Sequence, residues 1–174
     1  MAGTLQKYAN PSHQVKRLAD LVHLSQTQVK QAKKRTFNLH LFPGMTTKKD
    51  RQECKYVLAA DLKNRRSMML KHMSEKFNAD TDQMKREMPS VINAVLHCYG
   101  GDCSDCAEKS AGTCAGGDSD YWFVRSRSLR ENGITALHPS ETDLQTMREI
   151  LLTILGDEGI EKTWGLSTTQ ANGV

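Results

Sequence analysis

Apolar residues recur along most of this chain at steps of three and four, the period of a helix with one buried face. The clearest stripe is Cys54, Leu58, Leu62, Met69, Met73 and Phe77. It predicts a long helix over roughly 47–77, with Arg65 or Arg66 crossing the wide step between Leu62 and Met69. Lys55, Lys63 and Lys71 fall on the opposite face. Thr47 and Asp50 stand at capping-box spacing, with Asp in place of the usual Glu. A second stripe, Met84, Met88, Val91, Ile92, Val95 and Leu96, predicts a helix capped by Asp80 or Thr81. Pro89 either kinks that helix or restarts it. A third stripe, Leu144, Met147, Ile150, Leu151, Ile154 and Leu155, follows Ser140 and Asp143 at the same capping spacing. Gly156 ends it.

Shorter elements fill the intervals. Asn10-Pro11 is a helix start, and Val15, Leu18, Leu21 and Val22 then share a face. Ser25 is a cap for a short basic helix ending near Arg35. The stretch FNLHLFPGMTT reads as a connector stopped by Pro43-Gly44. Tyr121-Trp122-Phe123-Val124 is the densest aromatic patch and reads as a short strand or as an anchor on the core. RSRSLRENGI is polar and turns at Asn132-Gly133, and one more short helix is expected up to Trp164. The expectation is a mainly α fold of four to six helices, in a single domain over 1–174 with a flexible tail at 165–174.

Between the central and C-terminal helices the pattern disappears, and four of the five cysteines stand there as Cys98-x4-Cys103-x2-Cys106-x7-Cys114. The residues between them are mostly Gly, Asp, Ser, Thr and Ala, which cannot bury a core. Two soft-ligand pairs at this spacing suit a tetrahedral structural Zn²⁺ that staples the loop at 98–120. His97 neighbours Cys98 and is an alternative ligand. A CxxC redox centre is disfavoured because no βαβ pattern surrounds it. Cys54, on an apolar stripe, reads as a core residue. The carboxylates in or beside the loop, Asp102, Asp105, Asp118 and Asp120, read first as turn formers.

Charge adds a second feature. Residues 1–80 hold 16 Lys and Arg against 6 Asp and Glu, whereas residues 81–174 hold 8 against 14. A basic half is a footprint for a nucleic-acid backbone. The candidate phosphate contacts are Lys33, Lys34 and Arg35, then Lys48, Lys49 and Arg51, then Arg65 and Arg66. Arg125, Arg127 and Arg130 form a further cluster. No run of about 18 apolar residues is present, so no membrane span is expected, and the first residues lack the apolar core of a secretory signal. A reducing, intracellular setting follows, in which clustered thiols favour metal over disulfides. There is no P-loop, GxGxxG, GxSxG or HExxH motif, and no small-molecule substrate is expected.

Read in order, these segments resemble the helical region of Mutator-like transposases. The pieces are KYANPSHQVKRLADLVHLSQTQV, FPGMTTKKDRQECKYVLAADLKNRRSMMLKHM, LHCYGGDCSDC with its later Cys, YWFVRSRSL and STTQAN. The cysteine loop and the closing Thr169-Gln170 are the more specific of them. The resemblance implies a helical insertion between the second and third metal-binding carboxylates of an RNase-H-like catalytic domain. His13 matches the histidine that commonly opens such an insertion; by residue type alone it reads as a structural histidine. The third carboxylate, a Glu, aligns with Gly173, and the first two would precede Met1. The resemblance therefore implies a chain without the catalytic carboxylates, a fragment or domesticated remnant. The expected function is a non-catalytic, zinc-stapled module that binds DNA weakly in the nucleus. A zinc-stapled protein-interaction module and a truncated part of an active transposase are the alternatives.

Overall fold

The computed structural model describes residues 26–27, 29–102, 104 and 127–164. The expected first helix with His13, the cap Ser25, Cys103, the loop from 105, the aromatic patch 121–124 and the tail 165–174 lie outside them. The described residues are mainly helical and contain no strand. Five helices are α1 (Lys48–Lys76), α2 (Thr81–Tyr99), α3 (Arg127–Glu131), α4 (Glu141–Leu155) and α5 (Asp157–Trp164). Residues 29–34 are helical too.

Helix α1 starts where the Thr47 hydroxyl accepts the Asp50 amide at 3.1 Å. The expected stripe from Cys54 to Met73 is buried along its length. Each fully buried Leu or Met there contributes roughly 1.5–3 kcal/mol. After Phe77, Asn78 and Ala79 both take the left-handed conformation, at φ 50° and 61°. The Ala79 amide then reaches back to the Ser74 carbonyl at 2.8 Å, and the chain reverses. Asp80 caps α2 by accepting the amides of Asp82 and Gln83, each at 3.0 Å. Pro89 does not restart α2, which is one helix from Thr81 to Tyr99; the proline lies on its exposed side.

Helix α2 is the centre of the assembly and packs against α1, α4 and α5. Helix α1 also touches α3 and α4, and α4 touches α5. The five-residue α3 was not expected from the sequence. It ends at the expected Asn132-Gly133 turn, with Gly133 at φ 73°; its Leu129, and Ile134 and Leu137 beyond the turn, enter the core. Helix α4 opens with a complete capping box between Ser140 and Asp143 and ends at Gly156.

The connector between 35 and 47 is docked. Leu41 and Phe42 are buried. The His138 amide donates to the Leu41 carbonyl at 3.0 Å, and the Asn38 amide donates to Asp143 Oδ1 at 2.7 Å. The other carboxylate oxygen of Asp143 accepts the Ser140 amide at 2.9 Å and the Ser140 hydroxyl at 2.8 Å.

Candidate functional site

Cys98 lies on the last turn of α2, not on a loop, and is fully buried. The helix carries on through it because Leu96, Cys98 and Tyr99 are all packed inside. Arg65 Nη1 on α1 donates to Cys98 Sγ at 3.7 Å. The same guanidinium lies 5.2 Å from the centre of the Tyr99 ring, within range of a cation–π contact. The Tyr99 hydroxyl in turn donates to Asp61 Oδ2 at 2.5 Å. Burial, and next the negative charge of Asp61, push the Tyr99 phenol well above its ordinary range, against a smaller opposing pull from Arg65. Tyr99 is thus a fixed neutral donor, and Asp61, Arg65, Cys98 and Tyr99 form one polar cluster inside the bundle.

This cluster corrects one expectation. Arg65 and Arg66 are 0% and 3% exposed, so on this fold neither presents a guanidinium to an outside phosphate. The reason is the wide step in the α1 stripe. Long arginine stems fill it with methylenes, and Asp61, one turn earlier, brings a buried negative charge beside them. Burial also pulls the Arg66 guanidinium down, and its Nη2 donates to the Ser67 hydroxyl at 3.1 Å. The sequence signal that could have found the cluster is Asp61 itself, a carboxylate between Leu58 and Leu62 on the apolar face.

Past Cys98 the chain turns at Gly101, at φ 92°. Asp102 accepts the Ser104 amide at 3.0 Å. That bond, with a smaller contribution from nearby His97, holds its carboxyl below the usual range. Of the four expected zinc ligands, Cys103, Cys106 and Cys114 lie outside the described residues. Cys98 is buried, with the Arg65 guanidinium donating to its sulfur. Cys54 is in the core as expected, and burial raises its thiol.

Next to this corner a pocket of about 570 Å³ is lined by His40, His97, His138 and Asp102 with the apolar Leu137 and Leu144. Its histidines come from the connector, the end of α2 and the approach to α4. Among the described residues no group of three or more His, Cys, Asp or Glu is placed to hold a metal ion.

The remaining basic candidates divide by what they touch. Arg35 pairs with Glu149 at 3.0 Å and ties its segment to α4. Arg51 Nη1 donates to the carbonyls of Thr46 at 2.6 Å and Met45 at 3.2 Å, fixing the connector to the start of α1. Lys33, Lys34, Lys48 and Lys49 are exposed. Lys49 stands 4.0 Å from Glu53, an exposed pair of little energetic weight. The Lys33 ammonium lies 4.6 Å from the centre of the Tyr56 ring. Segment 29–34 and the exposed side of α1, separate in sequence, therefore meet.

No helix among the described residues is long and apolar enough to cross a membrane. Compared with protein-family models, with curated proteins and with solved structures, the chain matches none.

Proposed function

We propose that this chain is a non-catalytic, transposase-derived helical module that carries a structural Zn²⁺ and binds DNA weakly, without sequence preference, in the nucleus. The DNA reading is carried by the contact of Lys33 with Tyr56, which sets Lys33 and Lys34 beside the exposed side of α1 that also bears Lys49. Cations gathered on one surface displace counterions from a phosphate backbone whatever its base sequence. Base readout needs a recognition element positioned in a groove, and the sequence motifs named above include none.

The zinc reading is supported by the spacing of the four cysteines, two soft-ligand pairs in a stretch too poor in apolar residues to hold its own shape. Zn²⁺ held by Cys98 with Cys103, Cys106 and Cys114 would give the loop the fixed shape that its own side chains do not supply. The non-catalytic reading is supported by the resemblance, which sets Gly173 where the family has its Glu.

A DNA titration over a range of salt tests the first part. With Lys33, Lys34, Lys48 and Lys49 neutralising about four phosphates, the log–log salt slope should be about −3.5. Replacing Lys33 and Lys34 with Ala should weaken binding equally on unrelated sequences. Absence of binding at about 50 mM salt, where phosphate contacts are strongest, would overturn the DNA reading in favour of a protein-interaction module.

A further inference from the structure

We infer that Tyr56 is the positioning residue of a nucleic-acid backbone surface made by Lys33 and Lys34 with the outward row Lys49, Tyr56 and Lys63 on α1. The inference rests on the DNA-binding reading above and specifies its surface. Lys49, Tyr56 and Lys63 are all exposed. They recur every seven residues, so they line up along the helix about 10 Å apart, the rise of two turns. Tyr56 is 44% exposed, high for a large aromatic side chain in the middle of a packed helix.

What fixes Lys33 there comes from two sides. Segment 29–34, whose Ala32 is buried, is tied to α4 by the Thr153 hydroxyl donating to Gln31 Oε1 at 3.0 Å and by the Arg35–Glu149 pair just beyond it. The Lys33 ammonium then reaches the Tyr56 ring. A lysine left in water loses rotamer freedom when it grips a phosphate; one already laid on an aromatic face has lost part of that freedom beforehand. Lys34 and Lys63 are exposed and form no ion pair among the described residues. Glu53, beside Lys49, is the acid in the same row. A line of cations with so little compensating charge fits a regularly spaced polyanion, and a phosphodiester backbone has that form.

The ring's role is to hold a cation. A cation–π contact at an exposed site is worth about 0.5–1 kcal/mol, equivalent to a change in affinity of about two- to fivefold.

The test is a fluorescence-anisotropy titration of the full chain at about 50 mM salt against a duplex of about 20 base pairs and a single strand of equal length. Tyr56→Leu should weaken duplex binding about two- to fivefold, and Tyr56→Phe, which keeps the ring, should bind as the wild type does. In a Lys33→Ala background, Tyr56→Leu should have no further effect. Arg86→Ala, which removes an exposed charge from α2, should leave affinity unchanged. Equal losses from Tyr56→Leu with and without Lys33 would overturn the positioning role. So would a preference for single strands that Tyr56→Leu abolishes, because the ring would then be stacking on bases. Unchanged binding by both Tyr56→Leu and Lys63→Ala, in a wild type that binds with a steep salt slope, would discard this surface while leaving the DNA reading standing. A wild type that does not bind at all would overturn both.

Discussion

The Tyr99 hydroxyl donates to Asp61 at 2.5 Å inside the bundle, joining the end of α2 to the middle of α1. Removing that donor leaves a buried carboxylate short of a partner, so Tyr99→Phe should destabilise the fold by about 1.5–3 kcal/mol. Urea unfolding followed by circular dichroism measures it. A midpoint unchanged from the wild type would mean that water replaces the hydroxyl at no cost.

Gly159 marks a close approach between α4 and α5. A Cβ at this position would stand 1.9 Å from the Ile154 carbonyl oxygen, a backbone atom that has no side-chain freedom to retreat. Gly159→Ala should therefore cost about 1–3 kcal/mol or more, against the modest helical gain that Ala normally brings. A melting temperature at or above the wild-type value would show that α5 can shift freely.

Ala79 offers the opposite case. At φ 61° it pays the left-handed penalty of a residue with a Cβ. That penalty is about 1–2 kcal/mol, and the extra unfolded-state freedom of glycine returns about 0.5–1 kcal/mol of it. Ala79→Gly should stabilise the chain by roughly 0.5–1 kcal/mol, read from the same urea midpoints. A loss of stability would mean that the Ala79 methyl packs to greater effect than its backbone strain.

The pH response follows from Asp80, Glu161 and Lys85, with the depressed Asp102 acting in the same sense as the other two carboxyls. The Gln83 amide and side chain hold the Asp80 carboxyl down, and Lys85 does the same to Glu161 across a 2.5 Å contact. A carboxyl depressed in the folded state stabilises above its unfolded pKa and loses that contribution as pH falls through the folded value. Lys85 is raised by Glu161, so its contribution is complete below its unfolded pKa and fades only as pH rises through the folded one. Stability should hold from neutral pH into the mildly alkaline range and decline from about pH 5 downward. Glu161→Gln should flatten part of that acid limb without moving the neutral plateau's shape. Acid and neutral midpoints shifted by equal amounts would show that Glu161 does not titrate with folding.

The two described thiols should separate in metal analysis. Purified chain is expected to carry one Zn²⁺, lost in Cys98→Ser and kept in Cys54→Ala, because Cys54 belongs to the apolar stripe of α1. Cys103→Ser should abolish zinc while leaving most of the helical signal. Wild-type protein prepared without chelator and containing no zinc would remove the metal from the account.

The three long helices were legible because burial imposes their period and because Thr47, Asp80 and Ser140 cap them as residue type suggests. What the sequence hid depends on distant partners. Arg65 and Arg66 look like phosphate contacts because a guanidinium is usually solvated; the gap in the α1 stripe signals that one of them crosses the apolar face, but the burial of both follows only from the packing around α1. Cys98 looks like the first residue of a loop, but the packing of Leu96 and Tyr99 keeps it in a helix. Helix α3 is too short for periodicity to register. The basic segments could not be placed on one surface from their spacing, since Lys33 and Tyr56 meet through folding, not through proximity in sequence.

The bond from Asn38 to Asp143 spans 105 positions, and the carboxylate that accepts it also closes the capping box of α4 on Ser140. Pulling the connector away would leave that helix start with a half-used carboxylate in a buried place, and uncapping the helix would release the connector. The two are therefore one cooperative unit of local opening rather than a hinge beside a rigid rod. The pocket beside them inherits this: His40 and His138 keep their mutual register for as long as the first turn of α4 stays wound.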